Sequence, residues 1–156
     1  MDFGLVLALA GCVMAVVIPG VSSGLGIQYA GQVSAGAMTE DPKNFGRYLV
    51  LLALPGTQGI YGFVIGFLIL QKIGLVAGAL ALLTLPQGLA LLLAGLPIGI
   101  AGLVAVPQGK VCAAGVELTS KRPEESGKAL VMAVFVEFYA VLGFLISIFI
   151  LFGVSV

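Results

Sequence analysis

The chain has 156 residues, 60% hydrophobic and 9% charged, and its seven basic and seven acidic side chains cancel. A soluble domain averages roughly 25% charged residues, so this chain lacks the polar surface of a globular domain in water; it has no basic excess for nucleic acid, and with no His and two Cys it offers nothing for His-based chemistry and little for a Cys-rich zinc site or a disulfide framework. What remains is an all-α membrane protein of four transmembrane helices, because about 20 residues cross one bilayer core and four crossings with short loops use up the length.

The first predicted element is a helix over 3–38. Leu9-Ala10-Gly11-Cys12 resembles a lipoprotein cleavage box, but the only early charge is Asp2, where a secretory signal carries basic residues. The expectation is that these residues open the first span, with Cys12 and Cys112 small, buried and inert. A polar loop follows at 40–47, where Pro42 stops one helix and Gly46 lies near the start of the next. The second helix is predicted over 46–72. Residues 73–87 are apolar up to Leu85-Pro86-Gln87, and about 15 residues are too few for a fifth span. The expectation is long helices meeting in a short turn near Pro86. The third helix is predicted over 88–119. A second polar loop at 121–128 carries Pro123 and Gly127, and the fourth helix is predicted over 127–154. Helix is the state that lets lipid-exposed backbone satisfy its own hydrogen bonds.

The two loops belong to a repeat. A shift of 81 residues places Pro42 on Pro123, Gly46 on Gly127, Arg47 on Lys128, Leu49 on Leu130 and Gly62-Phe63 on Gly143-Phe144 without gaps. The chain therefore reads as two copies of a helical hairpin: residues 1–72, then a connection over 73–87, then residues 88–156. An even number of spans separates the copies, so the repeats are parallel, unlike those of inverted-repeat transporters. Five of the seven basic residues lie at the two hairpin loops, which places loops 40–47 and 121–128 in the cytoplasm and both termini outside. The first and third helices are rich in Gly, with GxxxG spacing at Gly20–Gly24 and Gly95–Gly99, whereas the second and fourth carry Phe63, Phe67, Phe135, Phe144 and Phe149. Small residues allow close backbone approach. The simplest assembly places the first and third helices on an inner surface and the bulky pair outside, a wedge suited to a ring; an ordinary four-helix bundle is the alternative.

Glu137 sits in Val136-Glu137-Phe138, about 16 Å from the second loop at 1.5 Å per residue, near mid-membrane. A carboxylate at that depth marks an ion or substrate pathway by default, the bland alternative being a protonated Glu in a structural hydrogen bond. Thr57, Gln58 and Gln108 reach nearly the same depth, and Leu54 and Tyr61 lie one turn to either side of the Thr57-Gln58 pair. One carboxylate with hydroxyl and amide oxygens suits a monovalent cation, where Ca²⁺ or Mg²⁺ usually takes more carboxylates or retained water. A proton carrier needs only the carboxyl, so Na⁺ is preferred with H⁺ as the alternative. The shift of 81 matches Glu137 to Gly56, leaving one ion site per two hairpins. A small multidrug-type transporter also uses a membrane Glu in a four-helix unit, but its cation cavity is aromatic-lined and this chain has no Trp. Gly102 to Gly109-Lys110-Val111 has the wrong spacing for a P-loop, and Val111 replaces the required Ser or Thr.

Three segments, Leu54-Pro55-Gly56-Thr57-Gln58-Gly59-Ile60-Tyr61-Gly62-Phe63, Pro107-Gln108-Gly109-Lys110-Val111 and Val136-Glu137-Phe138-Tyr139-Ala140-Val141-Leu142-Gly143-Phe144, resemble the rotor-ring proteolipid (K or c-type) of bacterial sodium-translocating V-type ATPases. The resemblance covers essentially the whole chain; Phe138 stands where the family pattern leads to a small polar residue. It implies that Glu137, Thr57, Gln58 and Gln108 bind Na⁺ by side chains and Leu54 by its carbonyl, with Tyr61 hydrogen-bonded to Glu137. It further implies a closed homo-oligomeric ring of about ten copies, lipid around it, a stator membrane subunit whose Arg displaces the ion from Glu137, and a central-stalk subunit docked on the cytoplasmic loops. ATP catalysis would lie on other chains.

Overall fold

The computed structural model describes residues 2–156. All regular structure among them is helical, and four helices are long and apolar enough to cross a membrane: Phe3–Glu40, Pro42–Lys72, Leu85–Lys121 and Pro123–Gly153. The first is one helix, α1 (Phe3–Glu40). The second is α2 (Phe45–Ala53) and α3 (Thr57–Lys72) joined by a 3₁₀ turn at Leu54–Gly56. The third is α4 (Leu85–Ala101) and α5 (Ala105–Lys121) joined by a 3₁₀ turn at Gly102–Val104, and the fourth is α6 (Ser126–Gly153). The interruptions follow from proline. Pro55 within Leu54–Gly56 has no N–H, and Pro107 removes the helical donor for the Leu103 carbonyl. That carbonyl instead accepts from Ser22 Oγ of α1 at 3.1 Å.

The two hairpin loops repeat in backbone detail. Asp41 (φ −135°, ψ 81°) and Arg122 (φ −141°, ψ 81°) each precede a proline and a one-turn 3₁₀ helix, Pro42–Asn44 and Pro123–Glu125. Proline disfavours the helical region for the residue before it, and here Asp41 and Arg122 leave it, which ends α1 and α5 at equivalent points.

The connection between the hairpins corrects one expectation. The second helix does not run on to a short turn at Pro86. It stops at Lys72, and residues 73–84 form a non-helical segment. Gly74 and Gly78 adopt φ of 78° and 71°, and the Leu75 amide reaches back to the Leu70 carbonyl at 3.1 Å. This left-handed glycine closure ends a helix. The next helix starts at Leu85, so residues 85–87 belong to it rather than to the connection. Thr84 and Gln87 form a reciprocal capping box, and Pro86 sits in the first turn, where its missing N–H costs nothing. Asp2 ties this end together, accepting from Gly4 N and from Leu83 N, both at 3.0 Å.

The first and third spans pack backbone to backbone. A Cβ on Gly88 would meet Gly4, one on Gly95 would meet Gly11, and one on Gly109 would meet Gly26. The matching numbers rise together along both helices, so the two spans run parallel. Gly20 and Gly24, with GxxxG spacing, take no part in this seam: both are exposed, with nothing within 4 Å of a built Cβ. Gly99 faces the Met14 backbone.

Buried apolar side chains form two groups. One holds Cys12, Ile65, Ile69, Leu91, Ile98 and Leu151; the other, nearer the hairpin loops, holds Ala30, Tyr48, Leu51, Cys112, Val116 and Ala133. Along each of the four spans a level lies between the two groups, and the buried polar residues Ser22, Ser23, Gln58, Gln108 and Glu137 occupy it.

Candidate functional site

The 3₁₀ turn at Leu54–Gly56 delivers the chain into α3, whose first residues are Thr57 and Gln58. Ser23 of α1 fixes this start: its Oγ accepts from the Gly59 amide at 2.8 Å. Gln58 and Gln108 are fully buried, and Glu137 is 8% exposed. Gln58 Nε2 donates to Gln108 Oε1 at 2.6 Å. Gln108 Nε2 donates to the Ala133 carbonyl at 3.1 Å and reaches Glu137 Oε2 at 3.5 Å. Tyr61 Oη donates to the other carboxyl oxygen, Glu137 Oε1, at 2.7 Å. Side chains from α3, α5 and α6 thus converge on one carboxyl group.

Thr57 and Leu54 form a separate pair: Thr57 Oγ1 donates to the Leu54 carbonyl at 2.8 Å. Thr57 adjoins Gln58 in the chain and Leu54 lies about one turn before it, but neither makes a hydrogen bond to Glu137. Lys110 lies two residues from Gln108 on another face, exposed, with its Nζ 5.4 Å from the Tyr29 ring centre. Sequence reasoning missed Ser22 and Ser23. The signal for them was a pair of hydroxyls in an apolar helix at the depth of two later prolines.

One atom in the cluster is unsatisfied. Gln58 Oε1 is buried with no hydrogen-bond partner. An orphaned buried acceptor costs about 1–3 kcal/mol. Gln108 Oε1 accepts one bond and keeps a second lone pair. The cluster therefore offers oxygens and one carboxyl charge. Among the described residues no three of His, Cys, Asp and Glu lie close enough to share a metal. The chemistry of this donor set fits a hard monovalent cation or a proton, not a soft transition metal.

The family model for the C subunit of ATP synthase matches the chain twice, over residues 10–69 and 92–150. The chain is 42% identical over 145 residues to the V-type sodium ATPase subunit K of Enterococcus hirae, covering 92% of this chain and 89% of that one. It is 40% identical over 150 residues to the A-type ATP synthase subunit K of Methanocaldococcus jannaschii, covering 96% of this chain but 64% of that longer relative. Four membrane-spanning helices, one match to the same family model in each hairpin and a carboxyl held between them lead to one conclusion: the chain is a membrane protein of the ATP synthase C-subunit family.

Proposed function

We propose that the protein is a rotor subunit that carries Na⁺ across the membrane, one ion per protomer, with Glu137 supplying the charge. The observation that carries this reading is the buried, unpartnered Oε1 of Gln58, whose Nε2 bonds the Gln108 side chain that in turn reaches Glu137 Oε2. A proton needs only the carboxyl, which leaves the Gln58, Gln108 and Thr57 oxygens without a purpose, whereas a hard cation takes several oxygens as ligands. Gln108 Oε1, Thr57 Oγ1 and the Leu54 carbonyl complete an oxygen-only set. The sodium ATPase relative supports the choice of ion. In this reading Tyr61 holds the carboxyl in its binding rotamer.

The protein is not itself a catalyst. Copies assemble into a closed ring, and ATP chemistry belongs to other chains. At a stator subunit an Arg competes for Glu137, releases the ion and lets the next protomer load. Loops 40–47 and 121–128 face the cytoplasm and dock the central stalk; the termini and the 73–84 connection face outside.

Labelling with a carbodiimide, which attacks protonated carboxyls, tests the site. In the purified ring Glu137 is expected to react, faster as pH falls, and Na⁺ is expected to protect it where K⁺ at equal ionic strength does not. Mass spectrometry identifies the modified residue. Reaction without Na⁺ protection at neutral and alkaline pH would assign the site to H⁺, and a Glu137 that never reacts would remove it from the pathway.

A further inference from the structure

Tyr61 reaches Glu137 with one end of its ring only. The remainder of the ring lies against Phe144, with centroids 5.2 Å apart and ring planes 27° apart. Both rings are partly buried beside the apolar group that contains Ile65 and Ile69. The arrangement follows from helix geometry. Glu137 and Phe144 are seven residues apart on α6, two turns, and so lie on one face. The second span, of which α3 is the later part, and α6 start from equivalent hairpin loops and run the same way. Helical side chains tilt toward the N-terminus, so Tyr61 and Phe144 both lean toward the loop end. Phe144 thereby flanks Tyr61 on the side away from the loops, and the Tyr61 hydroxyl is carried onto Oε1 at 2.7 Å.

We propose that Phe144 is a positioning residue: its ring holds Tyr61 against Glu137 and so sets how long the carboxyl stays closed over its ion. This rests on the ion-site reading above, and it names a residue outside the ligand set. Phe144 touches no ion. It acts through the Tyr61 ring, because a tyrosine without a stacked neighbour on that side gains rotamers that take its hydroxyl off Glu137.

The test uses the purified ring with Phe144→Leu, Phe144→Tyr, Tyr61→Phe and the double variant Phe144→Leu with Tyr61→Phe. Two readouts are taken: the rate of ²²Na⁺ exchange, and the rate of carbodiimide labelling of Glu137 in Na⁺-free buffer at fixed pH. Removing one aromatic stack is expected to speed both by about three- to tenfold in Phe144→Leu. Phe144→Tyr keeps the ring and is expected to restore wild-type rates, and the double variant to match Tyr61→Phe alone. Rates in Phe144→Leu equal to wild type would overturn the proposal. So would effects of Phe144→Leu and Tyr61→Phe that multiply, since Phe144 would then act independently of Tyr61. If Phe144→Leu yields no ring, Phe144→Met carries the same comparison. Failure of wild-type ring to bind ²²Na⁺ would sink the sodium reading alone, because labelling in Na⁺-free buffer still reads access to Glu137.

Discussion

Glu137→Gln is expected to abolish Na⁺ binding and carbodiimide labelling while leaving the ring assembled. The substitution keeps the shape of the side chain and an oxygen able to accept from Tyr61 Oη, which is 2.7 Å from Oε1 in the native chain. What it removes is the one negative charge the site supplies to a buried cation. Taking away one partner of a buried charge pair costs about 3–5 kcal/mol, which lowers Na⁺ affinity by about two to four orders of magnitude. Equilibrium binding of ²²Na⁺ to purified ring measures it. Glu137→Asp separates charge from reach: it keeps the charge but draws the carboxyl back from Tyr61, so binding is expected to persist, weakened and faster to exchange. Wild-type binding in Glu137→Gln would mean that the ion is held elsewhere.

Gly109→Val is expected to have the largest structural effect in the chain. A Cβ at that position meets the Gly26 carbonyl and Cα, both backbone, so no rotamer change on α1 can make room. Forcing volume into a packed contact usually costs about 1–3 kcal/mol, and here the strain falls on two backbones at once. Gly109 also follows Gln108, so any shift that relieves the clash drags a proposed ligand with it. The variant is expected to lose most of its folded, detergent-stable protein in a thermal gel-filtration series. Gly127→Ala is the control. Nothing lies within 4 Å of its built Cβ, and Gly127 sits in an exposed turn of α6. Replacing an exposed helical Gly by Ala is favourable by roughly 0.5–1 kcal/mol, so this control is expected to be neutral or slightly stabilised.

Much of the site was legible because depth in a membrane helix is arithmetic. Counting residues from two proline-marked loops brings Gln58, Gln108 and Glu137 to one level, and the structure joins them by hydrogen bonds. Tyr61 follows from its place one turn beyond Gln58. Which oxygens are free could not be counted. Thr57 turns to the Leu54 carbonyl, and Gln58 Oε1 is left alone, because side-chain orientation depends on neighbours that sequence does not locate. The connection was misread for a different reason. Apolar composition over 73–84 favours helix, but Gly74 in the left-handed region and the Thr84–Gln87 capping box set the true ends. Those local signals were present and were outweighed by hydropathy. The glycine spacing at Gly20–Gly24 marks a face of α1 that the third span of the same chain does not cover, since spacing says which residues share a face and not what packs on it.

The glycine seam between the first and third spans also bears on how a duplicated chain can change. The two halves have drifted apart in chemistry: Glu137 in one corresponds to Gly56 in the other, and a charged site stands opposite a silent one. Along the seam such independence is closed, because Gly4, Gly11 and Gly26 of one half are in contact with Gly88, Gly95 and Gly109 of the other. A side chain gained on Gly88, Gly95 or Gly109 is refused by the backbone of Gly4, Gly11 or Gly26, and one gained on those three is refused by the backbone at Leu83 and Thr84, at Leu91 and Leu92, and at Ala105. No compensating substitution exists. Mutational drift is therefore permitted in what each half binds and forbidden in how closely the halves lie, and a library randomised at these six positions should return glycine.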